Sequence, residues 1–236
     1  MRRDEIGCLT VKITSFRARP YQGGYMTPPV VTLFEKYGAG ARSIGPRVAK
    51  ALGVEWMDQA FSSADIESAK YPGGGRAGDQ GSGLARFLGR FASGATVLDD
   101  RSIPLAQADD AAMVEENTRL VKEAGARGVV MLGRNGALIL GDIPTALHVQ
   151  LDAPVEVRVA RAAREEGLDL AHAARRQRNE DSIRAEMSER FYYWNPMSID
   201  RYDLVVNTGV LDLDTAIDVI VSAYRAKAAR AVEPTA

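Results

Sequence analysis

The residues best suited to chemistry form a short turn at positions 38–43, which reads Gly-Ala-Gly-Ala-Arg-Ser. The turn follows an apolar, β-branched segment and precedes an amphipathic helical pattern, so it joins a strand to a helix N-terminus. Converging backbone N–H groups and the positive end of the helix dipole favour a phosphate group there. The phosphate-loop consensus ends in Gly-Lys-[Ser/Thr], and Ala41, Arg42 and Ser43 stand at those positions. A plain strand-to-helix connection is the alternative interpretation of the same turn.

Strands and helices that alternate along the chain must position this turn. Apolar runs predict strands at 29–35, 54–58, 128–132, 146–151 and 202–208, with a short edge strand at 8–14. Helical patterns cover 43–52, 59–70, 84–91, 109–124, a stretch from Pro154, 169–193 and 214–227, and a glycine-rich loop covers 72–82. This alternation predicts an α/β fold with a parallel sheet and right-handed crossovers. Ligands bind beyond the carboxyl ends of such strands, so Asp58, 133–136 and 207–208 join the turn as candidates.

Composition excludes several classes of function. The 236 residues carry a formal net charge of −1, which argues against a nucleic-acid partner. The single cysteine, Cys8, excludes an intrachain disulfide and a cysteine-based zinc cluster, and two histidines are too few for a histidine-rich metal site. No apolar run approaches the roughly 20 residues that span a membrane, and no signal peptide is evident. We therefore expect a soluble cytoplasmic protein with no membrane partner.

The strand ends, taken in series, resemble one family. The series is Tyr-Gly-x-Gly-x-Arg, Leu-Gly-Val-Glu-Trp-Met-Asp, Leu-Gly-Arg, Leu-Asp-Ala-Pro-x-Glu-x-Arg and Tyr-Asp-Leu-Val-Val-Asn-Thr. In this order and spacing it is similar to the cytidylate kinase-like family, a branch of the P-loop nucleoside monophosphate kinases, over about residues 30–228. The resemblance implies a three-layer α/β/α P-loop kinase fold with a parallel sheet, a helical monophosphate-binding lobe and a mobile lid.

The resemblance also implies a domain organisation. The kinase-like domain is expected at 29–228, with its lid at about 169–195, and residues 229–236 form a C-terminal tail. Residues 1–28 are expected to be an N-terminal extension. Because Met26 lies just before the first strong strand, this extension is either a flexible arm or a stretch that is not translated.

In the family the turn is the ATP phosphate loop. The matching positions here are Gly38, Ala39, Gly40, Ala41, Arg42 and Ser43. The arginine replaces the usual lysine and offers a planar fork to the β- and γ-phosphate oxygens, where lysine acts as a point charge. The serine hydroxyl is the implied Mg²⁺ ligand. The structural alternative is a helix cap at Ser43 and a solvated Arg42.

Acceptor binding is implied for five further positions: Asp58, Arg134, Asn135, Asp181 and Arg184. Asp58 follows the second strand and is equally suited to cap the next helix. Asn135 stands where true cytidylate kinases carry an acid, which removes a charge near the pocket. The alternative role for Arg134 is a surface ion pair.

The predicted lid carries a dense run of arginines and acids. Asp181 and Arg184 match the family pattern at a spacing of three residues, so they share a helix face. Gln177 falls where the family's first arginine is expected, and either Arg176 or Arg178 stands in for it, with Arg178 as the first choice. Arg42, Arg134, Arg178 and Arg184 are thus the implied catalytic residues. A solvated helix laced with ion pairs is the alternative.

Two classes of function fit these features. The first is a phosphotransferase that moves the ATP γ-phosphoryl group to a nucleoside monophosphate, with CMP or dCMP as the expected acceptor and Mg²⁺ as the cofactor. The second is a nucleotide-binding regulator without turnover, which the missing lysine, Ala41 and Asn135 favour. A kinase for another small acceptor fits the same substitutions. The sequence does not specify the oligomeric state.

Overall fold

The computed structural model describes residues 27–59 and 103–232 of the chain. Its sheet has five strands in the order β2-β3-β1-β4-β5, and every neighbouring pair is parallel. The strands are β1 (Val30–Glu35), β2 (Glu55–Met57), β3 (Val129–Leu132), β4 (Leu147–Asp152) and β5 (Leu204–Asn207). The central strand β1 is buried over its whole length, as expected for an inner strand covered on both faces.

Helices connect the strands on both faces of the sheet. Those of the described residues are α1 (Ala41–Leu52), α2 (Ile103–Arg127), α3 (Gly136–Ile139), α4 (Val155–Glu166), α5 (Leu170–Tyr192) and α6 (Leu213–Val232). On one face, Ile44 of α1 and Ile220 of α6 pack in a single cluster with Val31 and Val149 of the sheet. On the other face, Val121 of α2 packs with Met131. The predicted three-layer α/β/α architecture is confirmed.

Helix α1 begins two residues earlier than its pattern predicts. Its N-cap is Gly40 and it ends at Leu52, where Gly53 takes the left-handed conformation of a C-cap. Pro46 lies inside the helix, where it removes the N–H that would bond the carbonyl of Arg42. Close packing against β2 requires Gly45, since a Cβ there would lie 2.0 Å from the Trp56 ring.

Other differences from the sequence predictions lie at helix ends. Helix α2 begins at Ile103 rather than 109, α6 continues to Val232 beyond the predicted domain end at 228, and the short α3 was not predicted. The predicted strand at 8–14, loop at 72–82 and helix at 84–91 lie outside the described residues, as does all but the first residue of the helix at 59–70. Within residues 27–59 and 103–232, no helix is long and apolar enough to cross a membrane.

Candidate functional site

The loop between β1 and α1 owes its shape to two glycines. Gly38 and Gly40 have φ angles of +83° and +96°, a region that side chains with a Cβ rarely adopt. A Cβ on Gly38 would also lie 2.4 Å from the backbone oxygen of Arg158 in α4. The carbonyl of Gly40 accepts from the N–H groups of Ser43 and Ile44, at 3.1 and 3.0 Å, and so starts the helix. The loop therefore leads directly into the first turn of α1.

Two buried arginines of α4 hold this loop from behind. Arg158 donates to the carbonyl of Tyr37 at 3.1 Å, and Arg161 donates to the carbonyl of Gly38 at 2.9 Å. Arg161 also donates to the carbonyl of Thr208 after β5 at 2.8 Å. Burial lowers the pKa of Arg161 from its ordinary value. Because these guanidinium groups are bonded to backbone carbonyls, they shape the loop.

Tyr37 connects the loop to the predicted lid. Its backbone N–H donates to Asp181 at 2.7 Å, and its hydroxyl donates to Glu166 at 2.6 Å. The guanidinium groups of Arg176 and Arg184 lie 5.8 and 5.9 Å from the centre of its ring, within cation–π range. Burial and the bond to Glu166 raise the pKa of Tyr37, so its hydroxyl stays protonated. Helix α5 is thus docked on the loop in this structure.

A buried carboxylate stands at the point where β1 enters the loop. Glu35 is only 6% exposed, and its Oε2 accepts the backbone N–H of Ala41, the first residue of α1, at 2.9 Å. Arg184 donates to the Glu35 carbonyl at 2.8 Å, and its Nη1 lies 3.7 Å from Oε1. Burial raises the pKa of Glu35, while Arg184, the Ala41 N–H and Arg42 oppose that rise. The chain therefore supplies its own hydrogen-bond acceptor to the N-terminus of α1.

A cleft opens over the loop between α1, α4 and α5. Its lining includes Tyr37, Gly38, Gly40 and Ala41 of the loop region. The charged residues of its lining are Glu35, Arg42, Glu165, Glu166, Arg176, Glu180 and Arg184. Three arginines and four glutamates share this lining, so the cleft presents carboxyl groups beside its cations.

The arginine cluster of α5 is paired within the protein. Glu180, 2% exposed, lies 3.8 Å from the Nε of Arg176 and 3.3 Å from an Nη of Arg184. Arg176 also pairs with Glu166 at 2.7 Å, and Arg184 donates to the side chain of Gln59 at 3.1 Å. Both arginines line the cleft, and each makes a long contact with Glu180.

Arg42 and Ser43 occupy the first turn of α1. The Arg42 side chain is 49% exposed and lines the cleft, with its Nε 3.9 Å from a carboxylate oxygen of Asp58. The Ser43 hydroxyl donates to Glu165 at 3.5 Å. A hydroxyl beside a carboxylate is an oxygen environment that suits Mg²⁺. Among the described residues, no group of three or more His, Cys, Asp and Glu is arranged to hold a metal ion.

The carboxyl end of β3 leads into a second turn, which contacts Asp58. Gly133, Arg134 and Asn135 have φ angles of +66°, +58° and +56°, so three consecutive residues are left-handed. The Nε of Arg134 donates to the backbone carbonyl of Asp58 at 2.8 Å, and burial lowers the pKa of Arg134. The indole N–H of Trp194 donates to the Asn135 side chain at 2.7 Å. Two residues without glycine's freedom are therefore held in a strained conformation.

The structure brings some of the predicted residues together and separates others. Arg42 and Arg184 face one cleft, and Arg134 contacts Asp58 beside it. Arg178 is exposed and is not among the residues that line the cleft, whereas Arg176 is. The carboxylate of Asp181 accepts from the Tyr37 N–H, from Arg158 and from Gln177, which makes it a support of the loop.

Sequence reasoning missed Glu35, Tyr37 and Glu180 as parts of this site. Glu35 directly follows a buried strand, and that position was a usable signal for a ligand-edge residue. Glu180 lies four residues before Arg184 and four after Arg176, the spacing of helical ion pairs. Neither signal indicates that the carboxylates would face the loop.

The parallel sheet, the strand order with β1 at the centre and the loop ahead of α1 define a P-loop kinase fold. Residues 30–210 match the model of the cytidylate kinase-like family. The chain belongs to that family.

Individual relatives cover parts of the chain. It is 30% identical to a cytidylate kinase of Methanopyrus kandleri over 118 residues, 46% of this chain and 61% of that protein. A protein of Corynebacterium glutamicum named uronate isomerase is 38% identical over 146 residues, 62% of this chain but 28% of that protein. The chain thus spans between about a quarter and three fifths of these curated relatives. An uncharacterised protein from Eubacterium ventriosum superposes with a TM-score of 0.54 at 17% identity, covering 84% of this chain and 98% of that one.

Proposed function

We propose that the chain is a phosphotransferase that moves the γ-phosphoryl group of ATP to a nucleoside monophosphate, with CMP or dCMP as the first candidate acceptor. The observation that carries the proposal is that Arg42, at the start of α1, and Arg184, on α5, line one cleft over a glycine-shaped loop. Two guanidinium groups from separate elements, converging on a helix N-terminus, suit a transferring phosphoryl group.

The loop would bind the donor. The first N–H groups of α1 and the positive end of its dipole favour phosphate oxygens. Arg42 is half exposed and bonded only loosely to Asp58, so its planar fork is free to take two oxygens at once. Arg158 and Arg161 donate to carbonyls of the loop, which fixes the backbone that would carry the phosphate.

The β3 end would bind the acceptor. Arg134 donates to the Asp58 backbone, and one oxygen of the Asp58 carboxylate accepts the Gln59 N–H at 2.7 Å. The Arg134 guanidinium and the second carboxylate oxygen would be offered to a monophosphate and its sugar or base. Asn135 offers a neutral amide there, with its oxygen accepting from Trp194. A neutral group at this position fits a family member with altered acceptor recognition.

Transfer asks the protein for alignment and positive charge more than for covalent chemistry. We propose that Arg184 and Arg176 exchange their long contacts with Glu180 for the phosphoryl oxygens when both substrates are bound. Arg178, exposed and outside the cleft lining, is replaced in this role by its neighbour Arg176. Closure of α5 over the substrates would exclude water and limit ATP hydrolysis.

Mg²⁺ would accompany ATP, with the Ser43 hydroxyl as the ligand from the protein. The ion would neutralise charge on the phosphate chain during transfer. Since Mg²⁺ usually keeps several waters and binds through substrate phosphates, a single hydroxyl from the chain is a sufficient contribution.

A regulator that binds nucleotide without turnover is the second candidate. The observation that favours it is Glu35, whose carboxylate bonds the first N–H of α1 and so competes with a phosphate. The two candidates differ in a single outcome, which is product formation.

An ADP-release assay against a panel of nucleoside monophosphates tests the proposal. A hexuronate belongs in the panel because one relative carries the name uronate isomerase. We expect ADP release that depends on an acceptor, and loss of most of it in Arg42→Ala and Arg184→Ala. ATP binding without turnover for any acceptor would favour the regulator, and no binding of ATP or any monophosphate would contradict both candidates.

A further inference from the structure

Glu35 is the one buried carboxylate of the cleft that contacts the phosphate loop through the backbone of α1. Its Oε2 accepts the Ala41 N–H at 2.9 Å, and Ala41 itself is fully buried. The first N–H groups of a helix have no partner within the helix, so they require an external acceptor. In a phosphate loop that acceptor is a phosphoryl oxygen. Here the carboxyl group of Glu35, the last residue of β1, accepts the Ala41 N–H instead.

We propose that Glu35 is an affinity-determining residue of the loop: its carboxylate occupies the N–H group that a phosphoryl oxygen would bond, and the ligand binds by displacing it. The inference rests on the proposed phosphate-binding role of the loop. It does not require that phosphoryl transfer follows, because it concerns the anion that the loop holds before any reaction.

The surroundings of Glu35 make the carboxylate displaceable. The charged groups that face it are Arg184 and Glu180 of α5, Arg42 of α1 and Arg161 of α4. Arg184 stays 3.7 Å away, beyond direct hydrogen-bond distance, and bonds the Glu35 carbonyl instead. Glu180 repels the charge, and burial opposes it. The carboxyl group therefore has one short hydrogen bond, from the Ala41 N–H, whereas a phosphoryl oxygen in that position would also have Arg42 and Arg184 in the same cleft.

The same geometry predicts what an uncharged residue would do. Glutamine at position 35 keeps an oxygen for the Ala41 N–H, so the local fold is retained. A hydrogen bond with an ionised partner is about twice as strong as a neutral one, so the amide competes less well with a phosphate. Glutamine cannot ionise, so it also cannot place a negative charge beside the bound anion, and Arg184 stays available to that anion. A purely structural role for Glu35 predicts the opposite, since a damaged loop binds more weakly.

The test compares Mg-free binding of inorganic tripolyphosphate and of ATP, both in EDTA, to the wild type, E35Q and E165Q by titration calorimetry. Glu165 lines the same cleft and is exposed, and it carries the same charge without bonding an N–H of α1. We expect E35Q to bind both ligands at least about tenfold more tightly than the wild type, which is about 1.4 kcal/mol. For E165Q we expect a change of threefold or less.

Equal or weaker binding by E35Q would overturn the inference, and so would equal tightening by E165Q, which would mean that only net charge matters. If E35Q melts well below the wild type, Glu35→Asp replaces it, because a shorter carboxylate keeps the charge but withdraws from the Ala41 N–H. E35D is then expected to tighten binding, and weaker binding would be contradictory. Tighter binding by E35Q without any transfer by the wild type would leave this inference standing and contradict the proposed activity. Transfer by the wild type with no tightening in E35Q would do the reverse.

Discussion

The loop after β1 and the turn after β3 are similar in backbone course but differ in residue type. Each begins where a buried parallel strand ends, and each passes through backbone with positive φ. The loop after β1 assigns that conformation to Gly38 and Gly40, whereas the turn after β3 continues it from Gly133 into Arg134 and Asn135. The first turn is free of strain at these positions, and the second is not.

This difference indicates that the loop after β1 and the turn after β3 are stabilised in different ways. The carbonyls of Tyr37 and Gly38 accept from Arg158 and Arg161, which fixes the course of the loop backbone. The turn after β3 is held by Trp194 and by Asn117, which donates to the Arg134 carbonyl at 3.0 Å. Left-handed conformations at residues other than glycine cost about 1–3 kcal/mol each and persist mainly at functional sites. The loop after β1 is therefore fixed by buried arginines without backbone strain at its glycines, whereas the turn after β3 holds Arg134 in a strained conformation.

The largest expected effect is in the loop after β1. Gly38→Ala combines a positive φ with a Cβ that would lie 2.4 Å from a backbone oxygen of α4, so the loop or α4 has to move. We expect a loss of about 4 kcal/mol in the free energy of unfolding, measured with denaturant. Gly53→Ala is the matched control, because its φ is +71° with nothing within 4 Å, and it should lose about 1 kcal/mol. Equal losses would show that contact with α4 does not define the loop.

The second effect separates two neighbouring arginines. Arg176→Ala removes a guanidinium from the cleft lining, and we expect turnover to fall at least about 100-fold, as for loss of one preorganised donor. Arg178→Ala removes an exposed charge of the same helix and should leave turnover within about twofold. A larger effect for Arg178 than for Arg176 would restore the assignment made from the sequence alone.

A smaller effect is expected at Arg42. Arg42→Ala should weaken ATP binding about tenfold, because it removes an exposed cation from the cleft rather than a buried one. Arg42→Lys should retain binding within about threefold if the arginine replaces the usual lysine of the loop. Affinities from calorimetry decide this, and equally strong binding by the wild type and Arg42→Ala would remove Arg42 from the site.

The smallest expected effect concerns backbone strain in the turn after β3. Arg134→Gly and Arg134→Ala both remove the guanidinium, but only glycine relieves the left-handed backbone. The glycine variant should therefore be more stable than the alanine variant by about 1 kcal/mol in thermal or denaturant unfolding. Both should raise the KM for the acceptor. Equal stabilities would mean that the turn after β3 is not strained.

Much of the fold was predictable because its signals are local. The strand β1, the turn at 38–43 and the amphipathic pattern of α1 lie within one short stretch, and their order implies a ligand edge. The start of α1 was less accurate, since the helix begins at Ala41, two residues before its amphipathic pattern. The short α3 has too few residues to show a period.

The site was harder to predict because its contacts join distant parts of the chain. The role of Glu35 depends on Arg184, which lies 149 positions away, and that of Tyr37 depends on Asp181, 144 positions away. Arg176 and Arg178 have the same local composition around them, and only the orientation of α5 decides which one reaches the cleft. Asp181 matched a family position, yet the structure bonds it to the loop and to Arg158.

The most direct test of the central proposal follows the phosphorus atoms themselves. ³¹P NMR of the full chain with Mg-ATP and CMP distinguishes phosphoryl transfer from hydrolysis, because the products carry different resonances. The proposal predicts that ADP and CDP appear together in equal amounts, and that both fail to appear with Arg184→Ala. ADP accompanied only by inorganic phosphate, or an unchanged spectrum with CMP, dCMP and every other acceptor of the panel, would contradict it.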